Sequence, residues 1–400
     1  MSSLPGRVGE AIRRTWWRAA DQGAEVDGLA PHAAELFSTS QLEEHARALA
    51  ARHRLESKRA GLADGLLPRL AANAAALEEA HAFITRVASN GTRITPAAEW
   101  FIDNYHIIEE QIRTARRHLP RAYNRELPRL ANALAGGVPR VYDIVLELIS
   151  HSEGRVDVEG LRAFVTSYQT VTPLRLGELW AIPIMLRLAL IESLRRVVAA
   201  VTAGRSDRQS AKYWVERMIA TAADAPSRVV SVLAEMIDAS PPLTNSFVAE
   251  FSTRLQGKGA ALMFPITWLE QRLSERGQTI EHIFQVVSQG QAEHQVAIGN
   301  NIGSLRLLGA TDWRSFVEGV SVVDATLRSD PAGVYALMDF TTRDQYRRAV
   351  EEIAKCSPAS EDEVARTAVR LATEAGGAHV GQFLLDAGRS QLERAVSARR

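Results

Sequence analysis

Apolar positions recur every three or four residues along most of the chain, the spacing of one face of an α-helix. No stretch alternates apolar and polar residues long enough to read as a strand. The clearest pattern is Phe101, Tyr105, Ile108, Ile112, Ala115 and Leu119, spaced alternately by four and three. Thr95 can cap the N-terminus of this helix, Pro96 suits its first position, and Pro120 stops it at Leu119. Trp100, Asn104, Ile107 and Gln111 lie beside the stripe and widen it, so the spacing predicts one rod clasped by other helices on most sides. A second strong pattern, Leu179, Ile182, Leu186, Leu190, Leu194 and Val197, predicts a helix over 176–203, kinked or restarted at Pro183 and closed by Gly204.

Weaker patterns fill the remainder. Leu70, Leu77, Ile84 and Val87 form a stripe ending at Asn90-Gly91, a good C-terminal stop. Ser40 with Glu43, and Ser360 with Glu363, read as capping boxes. Further helices are predicted over 5–20, 141–150, 157–170, 207–223, 265–275, 280–298, 312–327, 331–355 and 361–374. In the first of these, Arg7, Arg13, Arg14 and Arg18 surround Trp16 and Trp17. That mixture suits either a membrane-surface helix or a docking helix, and packing of the tryptophans is the simpler reading. Helix pairs recur at roughly the 35–45-residue scale of helical repeats, without a repeated word. The expected fold is all-α: a multi-helical, repeat-like array, a solenoid or stacked helix pairs, with little or no sheet. Its expected divisions are 1–94, a helical core over 95–204 and a C-terminal array over 205–400, with weak boundaries at 204–210 and 256–264.

A chain of 400 residues exceeds the roughly 250–300 at which one core stops growing. Net charge is +0, so no global charge attracts nucleic acid. Cys356 is the single cysteine, which rules out an intrachain disulfide and a cysteine-built zinc site and suits a reducing compartment. The most apolar stretch, 179–191, carries Pro183 and Arg187 and is too short to span a bilayer. No apolar leader opens the chain, and the expectation is a cytoplasmic protein.

The helix opening at Trp100 also carries a resemblance. Trp100-Phe101-Ile102-Asp103-Asn104-Tyr105-His106-Ile107-Ile108-Glu109-Glu110-Gln111-Ile112-Arg113, followed by Pro120, Tyr123 and Glu126-Leu127-Pro128, resembles the N-terminal region of the bacterial cyclic β-1,2-glucan synthases. The likeness continues in Gly137-Val138-Pro139-Arg140-Val141-Tyr142, Tyr168-Gln169, Gly177-Glu178-Leu179-Trp180-Ala181 and Leu194-Arg195-Arg196. Asp330-Pro331-Ala332-Gly333-Val334-Tyr335, Met338-Asp339-Phe340, Thr342-Arg343, Tyr346 and His379-Val380-Gly381 complete it. The resemblance implies a soluble region of a large inner-membrane enzyme that polymerises glucose from UDP-glucose through a protein-linked intermediate and releases a ring. The membrane, transferase and phosphorylase-like segments of such enzymes have no counterpart here. The implied partner is therefore the transferase and membrane portion of a synthase, with the growing glucan chain as a further contact, and the implied place is the inner face of the inner membrane.

Candidate chemistry is sparse. Asp103, His106 and Glu110 fall on the polar side of their helix, and Asp-x-x-His resembles half of a carboxylate-bridged metal site. The second half is missing, since Glu281-His282 and Glu293-His294 have the wrong spacing. A polar docking network is favoured over a metal, with Glu109 beside it and Arg113 or Arg117 as ionic partners. Asp339 and Arg343 read as an i, i+4 salt bridge. Glu178 and Trp180 could line a sugar site, although core packing of Trp180 is the simpler reading. Tyr105, Tyr123, Tyr142, Tyr168 and Tyr346 each offer a phenol, but nothing near them in sequence would lower a pKa of about 10. There is no phosphate-binding Gly loop around Gly257-x-Gly259, no Asp-x-Asp and no nucleophile elbow. The residues thus predict a non-catalytic helical protein without a cofactor. An accessory region of a glucan synthase, a stand-alone protein-binding scaffold and a helical metalloenzyme at Asp103, His106 and Glu110 are its competing readings.

Overall fold

A computed structural model describes residues 36–56, 65–91, 94–119, 126–131 and 138–398. The helix expected over 5–20 lies outside them. The described residues form α-helices and no strand, with Leu55–Leu130 and Arg129–Pro139 as isolated β-bridges. In order, the helices are α1 (Thr39–Arg52), α2 (Leu66–Ser89), α3 (Pro96–Asp103), α4 (Tyr105–His118), α5 (Arg140–Ser150), α6 (Val158–Gln169) and α7 (Leu176–Asp224). Then come α8 (Val229–Ala239), α9 (Asn245–Leu255), α10 (Met263–Ser274), α11 (Ile280–Ala310), α12 (Trp313–Val320) and α13 (Val322–Leu327). The last are α14 (Phe340–Lys355), α15 (Glu361–Glu374), α16 (Gly381–Leu384) and α17 (Arg389–Ala395).

The chain divides into two compact units. The described residues of the first come from Ala72–Ile108 and Glu192–Ile302. Its core gathers Trp214, Met218, Leu233, Met236, Phe247, Phe251, Leu269 and Ile283, the inward positions of α7 to α11. Those of the second come from Ala24–Ala71, Glu109–Ile191 and Gly303–Arg400. There Val323, Leu327, Tyr335, Val350, Ile353, Val364, Ala368 and Leu384 close one cluster.

The pattern at 95–119 folds as expected on its apolar side and differs elsewhere. Thr95 caps Ala98 N–H, and Phe101, Tyr105, Ile108, Ile112, Ala115 and Leu119 are all buried. The rod is broken, however. Asn104 leaves helical geometry (φ −107°, ψ 11°), and its side-chain amide donates to the Trp100 carbonyl at 2.8 Å, competing for the acceptor that the helical ladder would use. Nor is it clasped on most sides: His106, Glu109, Glu110, Arg113, Arg116 and Arg117 are exposed on α4. Trp100 is 46% exposed, because the break separates the outward face of Glu99, Trp100 and Asp103 from the buried face of Asn104, Ile107 and Gln111.

Further boundaries move: α11 runs on to Ala310, and the helix expected over 312–327 is broken at Ser321 into α12 and α13. α7 passes through both Pro183 and Gly204 and absorbs the helix expected from 207. Gly204 serves packing here, since a Cβ would stand 3.0 Å from Ser246 Oγ on α9. α1 is capped by Ser38 with Gln41, which exchange bonds in both directions, in place of Ser40 with Glu43. The expected helix over 331–355 starts only at Phe340, after a turn at Asp330–Gly333 and a short 3₁₀ segment at Tyr335–Leu337. The capping box at Ser360 and Glu363, and the stop at Asn90-Gly91, where Gly91 takes φ 69°, form as read.

Candidate functional site

On α3 and α4 the singled-out residues separate by burial. Asn104 and Tyr105 are buried, and His81 stacks on the Tyr105 ring with centroids 3.9 Å apart. Trp100, Asp103, His106, Glu109, Glu110 and Arg113 are exposed. No hydrogen bond or ion pair joins Asp103, His106 and Glu110 among the described residues, so neither the docking network nor a metal cradle is assembled there.

The words farther along converge on buried charge. Arg140 opens α5 after Pro139, and Glu178 lies in the first turn of α7. The guanidinium donates to both Glu178 oxygens, at 2.8 and 2.5 Å, with side chains 2% and 0% exposed. The guanidinium also donates to Pro173 O at 3.2 Å, and Glu178 also accepts from the Arg175 N–H at 3.0 Å. Desolvation opposes the charge on Arg140, and the Glu178 carboxylate outweighs it, so the guanidinium stays ionised. Beside this pair, Asp143 and Tyr168 both bond the His53 ring, at 3.0 and 2.8 Å. Burial, helped by the charges of Glu178 and Asp143 against Arg140, pushes the Tyr168 phenol up to about 12. Burial thus favours the protonated Tyr168 phenol at the end of the Asp143–His53–Tyr168 chain. Gln169 next to it spans Val320 O (2.8 Å) and Leu174 N–H (3.2 Å).

A second network collects the C-terminal words. Asp330 accepts from Val334 N–H, Tyr335 N–H, Val380 N–H and the His379 ring, whose other nitrogen meets Tyr346 Oη at 2.9 Å. Although burial would raise it, these bonds hold the Asp330 carboxyl below the usual carboxylate range. Arg347, with a fully buried side chain, bridges Glu318 (2.7 Å) and Asp324 (2.8 Å), and Tyr335 donates to the same Asp324 oxygen at 2.8 Å. Arg343 does not pair with Asp339. It grips Glu318 with two bonds of 2.7 Å, while Asp339 caps α14 by accepting from Thr342 N–H at 3.0 Å. The i, i+4 spacing misled because a residue just ahead of a helix offers its carboxylate to the first turn's N–H groups. Glu178 is committed to Arg140 and closed to solvent, and half-buried Trp180 meets Phe340 edge to face at 6.4 Å.

Comparison with known proteins adds a relationship to this geometry. No protein-family model matches the chain. It is 34% identical over 317 residues to the cyclic β-(1,2)-glucan synthase NdvB of Rhizobium meliloti (strain 1021), a match covering 76% of this chain and 11% of that protein. The chain is a relative of one segment of a cyclic β-(1,2)-glucan synthase. It thus spans about a tenth of the curated relative it matches.

Nine residues of the words that resemble the synthases fall in these networks: Arg140, Tyr168, Gln169, Glu178, Asp330, Tyr335, Arg343, Tyr346 and His379. His53, Asp143, Glu318, Asp324 and Arg347, their partners, were not singled out from sequence. They lie up to 115 positions away and follow no local motif.

Elsewhere the first unit holds a half-open cleft of about 400 Å³ among Thr95, Val201, Gly204, Arg208, Ser246 and His294. No described residue lining it is a carboxylate. Burial depresses both Arg208 and His294. No described helix is long and apolar enough to cross a membrane. Among the described residues, one group of three ligand-type side chains lies close enough to share an ion: His45, Glu147 and His151.

Proposed function

We propose that the chain is an accessory region of a cyclic β-1,2-glucan synthase, corresponding to the N-terminal part of that enzyme. In this reading it docks on the transferase and membrane portion at the inner face of the inner membrane and supports polymerisation of glucose from UDP-glucose carried out there. The 34% identity to the synthase over 317 residues carries the proposal. Two features support an architectural role. Arg140 and Glu178, two residues of the words that resemble the synthases, form a buried ion pair, and no described residue lining the cleft is a carboxylate. The exposed side of α3 and α4, from Trp100 through His106 to Arg113, is the docking face in this reading, since nothing among the described residues engages those side chains.

The test uses membranes bearing a synthase that lacks the matching segment. Added chain is expected to restore incorporation of labelled UDP-glucose into β-1,2-glucan, and the chain alone is expected to make none. Product from the chain alone would place catalysis within it, and no restoration would remove the accessory role.

A further inference from the structure

His45 lies on α1, and Glu147 and His151 lie at the end of α5, an i, i+4 pair sharing one side of the helix. Two imidazoles and a carboxylate are the donor set that suits zinc and similar first-row divalent ions. His45 Nε2 is 2.8 Å and His151 Nε2 3.6 Å from one and the same Glu147 oxygen, and all three ligand atoms lie within 4.8 Å of one another. Ligands about 2.0–2.2 Å from a tetrahedral ion sit roughly 3.3–3.6 Å apart, so the two measured distances bracket the required span.

The surroundings fix the rings in place. His151 caps α5, donating its N–H to Glu147 O, while its own carbonyl accepts from Phe37 N–H at 3.2 Å. The Phe37 ring lies flat on the His151 imidazole, 4.0 Å away with planes 5° apart, and meets His45 edge-on at 5.4 Å. A simple ion pair would need only His45 and Glu147. Here a second imidazole also stands 3.6 Å from the same oxygen, within the ligand-to-ligand span of a shared ion. The three side chains are 18%, 24% and 16% exposed, which leaves an approach from solvent for the ion.

We propose that His45, Glu147 and His151 form a three-ligand site for a zinc-class divalent cation, which pins the start of the described chain (Phe37 and α1) to the end of α5. The site is independent of the glucan-synthase reading, because it rests on none of the residues that carry the resemblance.

The experiment uses the untagged full chain, stripped with a chelator, dialysed, and titrated with Zn²⁺ by calorimetry and with Co²⁺ by visible absorption. One ion per chain is expected, with the d–d bands of four-coordinate Co²⁺ and a raised melting temperature on Zn²⁺ addition. His45→Gln and His151→Gln are each expected to weaken binding by more than the roughly 10–100-fold that outer-shell changes cost, with far-UV circular dichroism unchanged. His282→Gln, at an exposed position outside the cluster, is expected to bind as the parent does. If a ring substitution unfolds the chain, Glu147→Gln gives the same reading, because it keeps a hydrogen-bond acceptor for His45 and removes the anionic ligand. No stoichiometric binding by the parent chain, or binding that survives in folded His45→Gln, His151→Gln or Glu147→Gln, overturns the site.

Discussion

Arg140 and Glu178 lie 38 positions apart in the chain and form a pair with almost no access to water. A buried pair of this kind adds little over an apolar pair of the same shape, but leaving one member alone strands a charge. Glu178→Ala is therefore expected to lower unfolding free energy by about 3–5 kcal/mol, read by urea denaturation. Arg140→Met with Glu178→Leu is expected to cost far less than that single change, and a double variant as unstable as Glu178→Ala would refute the argument. Glu361 makes the opposite case. Burial, together with the charges of Glu351 and Glu178 and against the Leu176 N–H bond, lifts its carboxyl from 4.5 to about 7. Because the folded value lies above the unfolded one, the unfolded chain releases this proton first, and stability falls as pH rises from 4.5 to about 7. Glu361→Gln, which keeps an acceptor for Leu176 N–H, is expected to gain about 1–2 kcal/mol near pH 8 and nothing near pH 4. A pH-independent difference would contradict that assignment. At this scale the sequence shows that Glu178, Asp339 and Arg343 matter to something, but not to what. Partners such as Glu318 for Arg343 are set by tertiary packing, whereas i, i+4 spacing sees only the same helix.

At the scale of elements, periodicity locates most helices because a single buried stripe is enough to specify one. Every residue of the 101–119 stripe is buried, as the spacing requires. Breaks are harder to read. Asn104 interrupts the rod with a side chain that bonds the Trp100 carbonyl, while Gly204, a natural stop, stays inside α7. Gly204→Ala separates the two roles of glycine. Alanine gains roughly 1 kcal/mol of helix propensity, and its Cβ would press on Ser246 Oγ from 3.0 Å. The single substitution is expected to be near neutral. In a Ser246→Ala background the same change is expected to stabilise by up to about 1 kcal/mol in urea melts. An equal gain in both backgrounds would mean that the close approach has no energetic weight.

At the scale of the molecule, the all-α class follows directly from the absence of alternating stretches and from the caps at Thr95 and Ser360. The division into two units, each assembled from separated stretches, was not legible, because local periodicity carries no information on which helices return to meet. The relationship to a glucan synthase was legible through long ordered words, of which Arg140, Glu178 and Asp330 fall in buried networks while Trp100, His106 and Arg113 stay exposed. In the proposed accessory role, these buried residues maintain architecture and the reaction belongs to the transferase portion. The most direct measurement is glucan synthesis from labelled UDP-glucose by a synthase carrying this chain in place of its matching segment, with and without Arg140→Met and Glu178→Leu together. The substituted chimaera, wherever it is folded by thermal melting, is expected to make β-1,2-glucan at the rate of the unsubstituted one. A chimaera that melts normally yet makes no glucan would show that the buried pair takes part in the chemistry, and would contradict the claim.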